Sequence, residues 1–179
     1  DNDLLVKRRR RRVQTTMSRH RLRKYPNLSK DLEIDCAEQL WVSDITYLSV
    51  EGAHCYLILI TDAYSRKVVG YNFGRNMDTA FCISALESAL VNRFFPHRKL
   101  MHHSDRGLQY CSKAYVEILE NNGIRISMTE NGYPLENALA ERMNGIFKGN
   151  FALDESFLTF EQAQKTVDHA IAYYNNRLP

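Results

Sequence analysis

This chain of 179 residues lacks long apolar runs and closely spaced cysteines. No apolar run approaches the roughly 20 residues needed to cross a bilayer, and the first residues are too basic and polar for a secretory signal. We therefore expect a cytosolic protein with no membrane partner. The four cysteines are scattered without a C-x-x-C pair, which favours reduced, mostly buried thiols over a disulfide or zinc framework. They are Cys36, Cys55, Cys82 and Cys111.

The net charge of +3 conceals a strong asymmetry along the chain. Residues 1–30 hold 11 lysines and arginines against two aspartates, whereas the remaining residues hold 13 basic and 19 acidic groups. We interpret residues 1–34 as a flexible basic arm that binds a polyanion such as DNA, and residues 35–179 as one globular domain. The alternative is a linker whose charge serves only solubility. The densest run of the arm is Arg8, Arg9, Arg10, Arg11 and Arg12.

The first part of the globular domain has the pattern of a three-stranded antiparallel meander. Residues 41–50, 53–62 and 67–73 are rich in β-branched and aromatic side chains, and only short turns separate them. A helix over about residues 79–93 follows, and Asp78 is positioned to cap it.

The second part alternates short strands with helices. Residues 99–104 and 124–128 are predicted strands, and the helix between them begins at Ser112 and ends at Gly123. Pro134 opens a helix over about residues 135–148. A last helix extends to about residue 176, and its first residues, Thr159 and Gln162, are spaced as a capping box. The fold class is α/β: a mixed sheet of three antiparallel strands and then two parallel ones, with helices on both faces.

Two aspartates occupy positions where a sheet of this class presents functional groups. Asp44 lies within the first predicted strand, on the same face as Val42 and Thr46. A carboxylate there is costly unless its charge is compensated, as a metal ion would do. The alternative is an edge strand with Asp44 in solvent or in an ion pair. Asp105 directly follows the fourth strand, where Gly107 permits a tight exit, although alone it could equally cap a turn.

A third carboxylate, Glu141, lies on the helix that Pro134 opens. On a helical wheel Asn137, Asn144 and Lys148 share its face, and an apolar stripe lies roughly opposite. We expect the stripe to pack on the domain and to leave Glu141 and Lys148 together on the other face. The alternative for Glu141 is a solvated helix face. The stripe consists of Leu135, Leu139, Met143 and Ile146.

Together the three carboxylates are more specific than any one of them. Carboxylates from a central strand, the end of an adjacent strand and a nearby helix can hold two Mg²⁺ or Mn²⁺ ions roughly 3.5–4 Å apart. One ion would activate water or a 3′-hydroxyl, and the other would stabilise the leaving oxygen of a displacement at phosphorus. Few other chemistries need three carboxylates without a nucleophilic cysteine or serine or a glycine-rich nucleotide loop.

Five segments of the sequence carry a recognisable family resemblance. They are residues 41–47 (WVSDITY), 61–70 (TDAYSRKVVG), 103–110 (HSDRGLQY), 131–141 (NGYPLENALAE) and 174–177 (YNNR). Over about residues 22–179 the chain resembles the retroviral-integrase-like core of bacterial insertion-sequence transposases, in particular the OrfB protein of insertion-sequence family three. That family has 35 residues between its second and third acidic residues and a Lys or Arg seven positions after the glutamate. Asp105, Glu141 and Lys148 match both spacings.

The resemblance implies a ribonuclease-H-like fold and a polynucleotidyl transferase that cleaves DNA 3′ ends and transfers them into another DNA. It implies that Asp44, Asp105 and Glu141 are the catalytic ligands of two divalent ions, and that Lys148 contacts DNA near the reacting phosphate. The implied partners are transposon-end DNA, target DNA and further copies of the chain, in a bacterial, nucleoid-associated setting. Three residues are expected to support the ligands without binding the ions, namely Thr46, Asp62 and Asn137. For Asp62, which also recurs in such sequences, this supporting role or a purely structural alternative is preferred to the interpretation that it mimics a ligand.

The chain departs from the family pattern at residue 136 and at both of its ends. Glu136 stands where the family often has aspartate, and Pro179 ends the chain where relatives usually continue. The helix-turn-helix region that recognises transposon ends, upstream in relatives, is also missing. We therefore expect an excised, C-terminally truncated core plus linker that does not carry out sequence-specific transposition by itself. Two alternative functions stay open: a ribonuclease-H-like nuclease, and an inactive DNA-binding remnant of a mobile element.

Overall fold

A computed structural model describes residues 20–130 and 137–177 of the chain. Within them the chain forms six strands and four helices. In order these are β1 Leu40–Val50, β2 Ala53–Asp62, β3 Val68–Gly74, α1 Thr79–Val91, β4 Met101–Ser104, α2 Lys113–Asn121, β5 Arg125–Met128, α3 Ala138–Asn150, β6 Ser156–Phe157 and α4 Phe160–Arg177. None of these helices is long and apolar enough to span a membrane.

The sheet confirms the predicted mixed topology. Its strand order is β3-β2-β1-β4-β5, in which β1 to β3 are antiparallel and β4 and β5 run parallel to β1. The prediction of five strands omitted β6, which pairs with the end of β1 in parallel orientation. Two residues are too few to produce a periodic pattern in the sequence, so this strand could not be predicted.

Helices cover both faces of the sheet, as predicted. Strands β1 and β2 alternate between the two layers: Trp41 and Ile45 pack with α1 and α2, whereas Leu48 and Val50 pack with α3 and α4. Three of the four cysteines are buried in these layers, as predicted, and all four are free thiols. Asp44 is four residues from Leu48 on β1, so its side chain points to the same face of the sheet, toward the layer of α3 and α4.

Side-chain caps start the helices where the sequence predicted them. Asp78 accepts a hydrogen bond from Phe81 N at 2.7 Å, and Ser112 accepts one from Tyr115 N. The Thr159 hydroxyl likewise accepts from Gln162 N, although the Gln162 side chain returns to Leu158 N and not to Thr159 N. Helix α3 ends two residues later than predicted, and its predicted start, at residues 134–136, lies outside the described residues.

Residues 20–34 lie against the core, which corrects the prediction of a separate arm over this stretch. The Leu28 N–H donates to Ser127 Oγ at 2.9 Å, and the Met128 N–H donates to the Pro26 carbonyl. Leu32 packs against the third apolar cluster. These contacts depend on single polar groups and not on apolar periodicity, so the sequence pattern did not indicate them. Residues 1–19, with Arg8 to Arg12, lie outside the described residues.

Candidate catalytic site

The parallel pairing of β1 with β4 brings Asp44 and Asp105 side by side. Val42 is the last residue of β1 that pairs with β4, and its partner is His103. Two residues further along each strand lie Asp44 and Asp105, at the carboxyl end of β4. The site therefore forms where β4 ends and leaves the edge of β1 open, which is the position that sheets of this class use for functional groups.

The third carboxylate, Glu141, is near enough to Asp44 to affect its pKa. The pKa of Asp44 is raised to about 7, chiefly because the side chain is buried and additionally because of the negative charges of Asp105 and Glu141. Hydrogen bonds from the Ile45 N–H and the Asn144 amide act in the opposite direction. Like charges affect a pKa in this way only over short distances, so Asp105 and Glu141 lie in the neighbourhood of Asp44, and their role as joint metal ligands stays a prediction.

The three carboxylates do not yet form a closed ligand set. Over the described parts of the chain, no three His, Cys, Asp or Glu side chains are grouped closely enough to hold a metal ion as they stand. Glu141 is exposed on the first turn of α3, whereas Asp44 is half-buried in β1. Binding of a cation therefore requires side-chain movement, for which exposed Glu141 has the most freedom.

Asn144 is a member of the site that the sequence analysis assigned to the wrong environment. The helical wheel placed it on the solvent face with Glu141, but it is buried, and its Nδ2 donates to Asp44 Oδ2 at 2.8 Å. The reason is the orientation of α3, whose buried face includes Ala140 and Phe147 in addition to the predicted Met143. This rotation turns Asn144 toward β1, where its amide orients the Asp44 carboxylate.

The turn after β4 fixes Asp105. The Gly107 N–H donates to Asp105 Oδ1 at 2.8 Å, and Gln109 Nε2 donates to the Met77 carbonyl at 2.9 Å. A Cβ atom on Gly107 would lie 2.9 Å from Asp105 Oδ1 and 3.3 Å from Gln109 Oε1. The turn therefore requires glycine, because the Asp105 carboxylate packs directly against the main chain of residue 107. The sequence pattern predicted only that Gly107 lets the chain turn sharply after the fourth strand.

The donor set suits a hard divalent cation. The groups are carboxylate and amide oxygens, the ligands that Mg²⁺ and Mn²⁺ prefer. Two amide oxygens beside the carboxylates, Asn144 Oδ1 and Gln109 Oε1, are buried without a hydrogen-bond donor in the described structure. Buried acceptors normally find a partner, so these oxygens fit a site completed by a cation or its water ligands.

The predicted supporting residues have different environments. Asp62 is buried and accepts from Glu38 N at 2.6 Å and from Ser65 N at 2.8 Å, so it fixes the start of β1 and the turn after β2. This supports the structural alternative. Asn137 is buried and donates to the Ser43 carbonyl at 3.1 Å, on the strand that carries Asp44. Thr46 is buried on the same face as Asp44, and its supporting role stays a prediction.

Lys148 lies two helical turns after Glu141, on the same side of α3. Its Nζ is 4.5 Å from the centroid of the Tyr47 ring, so a cation–π contact holds the ammonium group near the open edge of β1. Its predicted contact with DNA remains a prediction.

Comparison with known proteins identifies the family. A model described as integrase core domain matches residues 35–134, which is more than half of the chain. The chain belongs to the integrase core domain family. A second integrase core domain model matches residues 122–179. The first match starts at residue 35, and residues 20–34, which precede it, also contact this integrase core.

The relatives of this integrase core are insertion-sequence transposases, which confirms the resemblance. It is 32% identical over 166 residues to the transposase for insertion sequence element IS629 of Shigella sonnei, covering 93% of this chain and 55% of that protein. It is 33% identical over 150 residues to the transposase InsF for insertion sequence IS3A of Escherichia coli, covering 84% and 52%. The chain thus spans about half the length of the curated relatives it matches.

A solved structure confirms the fold class. The catalytic core domain of HTLV-2 integrase, determined in complex with magnesium in a trimeric form, superposes with a TM-score of 0.60 at 21% identity. The alignment covers 79% of this chain and 87% of that one. The integrase core therefore has the predicted ribonuclease-H-like fold.

Proposed function

We propose that this chain is the catalytic core of a transposase that cleaves DNA 3′ ends and transfers them into a second DNA. In this proposal Asp44, Asp105 and Glu141 hold two divalent ions, Mg²⁺ or Mn²⁺. When bound, the ions activate the attacking oxygen and stabilise the leaving oxygen at the scissile phosphate. The observation that carries the proposal is the parallel pairing of β1 with β4, which sets Asp44 next to Asp105, with Glu141 of α3 near enough to act on the charge of Asp44.

The chain's own groups contribute orientation and charge. The Asn144 amide holds one oxygen of Asp44, and the Gly107 N–H holds one oxygen of Asp105, so two of the three ligands are oriented before DNA binds. Such preorganisation lowers the cost of assembling the reactive geometry. Lys148, at the open edge of β1, would place a positive charge against a DNA phosphate.

The proposed partners follow from the same surface and from the relatives. Transposon-end DNA and target DNA would lie across the open edge of β1, and Arg8 to Arg12 would bind phosphates outside it. The trimeric form of the HTLV-2 core supports the further proposal that this chain forms a homo-oligomer when two DNA ends are joined. A location on the bacterial nucleoid in the cytoplasm is proposed because the matched transposases are bacterial.

A substrate comparison tests this function against the alternative of a ribonuclease-H-like nuclease. We expect Mn²⁺-dependent cleavage and joining of DNA that carries transposon ends, and no comparable cleavage of an RNA–DNA hybrid. Asp105→Asn is the control for contaminating nucleases, because it removes one proposed ligand. Preferred cleavage of the hybrid would assign the nuclease function. Calorimetry without any divalent-metal binding, even with DNA present, would support the inactive remnant.

Gly107→Ala should lower DNA cleavage about 10- to 100-fold without unfolding the chain. The added Cβ, 2.9 Å from Asp105 Oδ1, must displace that carboxylate, and a shift of about 1 Å in a catalytic group costs on the order of 10²-fold. Gly145→Ala is the matched control, because a Cβ there meets nothing within 4 Å. Cleavage rates and thermal unfolding would be measured for both variants, and equal rates would remove Gly107 from the site.

A further inference from the structure

A cavity of about 510 Å³ lies between β1, the first residues of α3 and residues 27–34, and it is lined by Val42 on the strand face that carries Asp44. Leu40, Val42 and Ala63 form its apolar floor, and Leu139 of α3 contributes to its wall. Val42 precedes Asp44 by two residues on one face of β1, so the floor begins about 7 Å from Asp44. This separation is of the order of one nucleotide step in an unstacked strand.

The rim of the cavity is polar and carries positive charge. Asn27, Ser29 and Asn137 supply amide and hydroxyl groups around the opening. Of the two lining cations, Lys30 pairs with Glu130 at 3.0 Å. The other, Arg66, is exposed, and no acidic side chain of residues 20–130 or 137–177 forms an ion pair with it. Its charge is therefore available to an anion.

The combination of floor and rim narrows the class of ligand. A bare phosphate gains nothing from three apolar side chains, and an apolar ligand would leave the amide groups of the rim without partners. A nucleotide has a flat ring for the floor, polar ring edges for the amides and a phosphate for the arginine. The volume is within the range of cavities that hold small molecules, about 300–1,000 Å³.

We propose that this cavity binds one unpaired nucleotide next to the scissile phosphate, with its base over Val42 and its phosphate near Arg66. The inference rests on the proposed function, because it requires a DNA strand at Asp44. Binding there would keep the strand next to the scissile phosphate unpaired and unstacked. The scissile phosphate could then approach the carboxylates without being held in a base-paired duplex.

The test uses the whole chain without metal and observes the methyl groups of Ala63, Ala138 and Leu139 by nuclear magnetic resonance. Deoxyadenosine monophosphate should shift these signals saturably, and deoxyribose 5-phosphate should bind at least tenfold more weakly because it lacks the base. Arg66→Gln should weaken binding of the nucleotide about tenfold. The matched control is Lys67→Gln, which removes an adjacent exposed cation that does not line the cavity and should leave binding unchanged.

Two results would overturn the inference. Equal shifts with inorganic phosphate would mean a site for anions only, and nucleotide-induced shifts confined to other methyl groups would place binding elsewhere. A Mn²⁺-dependent DNA cleavage assay on the same protein separates the two proposals. Cleavage without nucleotide binding in the cavity rejects the cavity alone, whereas saturable binding in a chain that cleaves no DNA rejects the proposed function.

Discussion

Asp44→Asn is expected to abolish DNA cleavage and strand transfer while making the metal-free protein more stable at pH 8. Loss of a proposed metal ligand should remove several kcal/mol of transition-state stabilisation, which is about 10³-fold or more in rate. The gain in stability arises because burial costs a neutral amide less than a carboxylate, and because the repulsion from Asp105 and Glu141 is gone, while the Asn144 amide can still donate to the new side chain.

The stability difference between Asp44→Asn and the wild type should depend on pH. The pKa of Asp44 is near 7 in the folded chain and near its ordinary value of 3.8 in the unfolded chain. The fold therefore favours the protonated carboxyl, and this stabilisation is complete below about pH 4 and is lost as the pH rises through 7. We expect the variant to exceed the wild type by on the order of 2 kcal/mol at pH 8, because part of the carboxylate still contacts solvent, and by little at pH 4.

Asp62→Asn is the matched control, and it should change stability in the opposite direction. Its carboxylate accepts from Glu38 N, Ser65 N and Ser65 Oγ, so an amide there faces donors and should cost about 1–3 kcal/mol. Cleavage per folded molecule should persist. Chemical denaturation at pH 4 and pH 8 and a cleavage assay measure both quantities. An Asp44→Asn protein that is fully active, or less stable than wild type at pH 8, would contradict the assignment of Asp44 to a charged ligand site.

The elements that the sequence predicted well are those whose apolar residues recur with a fixed period. Helix α4 buries Val167, Ile171 and Tyr174, which recur along the sequence at helical spacing. Strand β6 and residues 20–34 lack such a period. Their positions depend on pairing with β1 and on single polar contacts to β5, which exist only after the chain has folded.

The same distinction applies to the site. The positions of Asp44 and Asp105 followed from strand alternation and strand ends, which sequence patterns report directly. The environment of Asn144 did not, because it depends on how far α3 is rotated about its axis. Fully buried Phe147, together with Ala140, determines that rotation, and neither residue belonged to the predicted stripe.

Glu38→Ala should lower the free energy of unfolding by about 3–5 kcal/mol, although Glu38 is far from any apolar stripe. Its carboxylate accepts from Phe94 N at 2.7 Å and from Phe95 N at 3.0 Å, and it pairs with Arg93 at 3.3 Å. The side chains of Arg93 and Glu38 are only 7% and 6% exposed, so alanine would leave a buried guanidinium without its partner. The backbone N–H of residue 38, which donates to Asp62, is kept in this variant, so the predicted loss measures the carboxylate alone.

Glu51→Ala separates burial from the other properties of this residue. Glu51 also has a positive φ, 53° against 60° for Glu38, and also pairs with an arginine, Arg75, at 2.9 Å. That pair is exposed, at 52% for Arg75 and 40% for Glu51, so its loss should cost at most about 1 kcal/mol. Denaturant unfolding of both variants measures the difference. Similar losses of stability in the two variants would mean that the strained backbone, and not the buried ion pair, sets the contribution of Glu38. DNA cleavage by Glu38→Ala should decline only as its folded fraction declines.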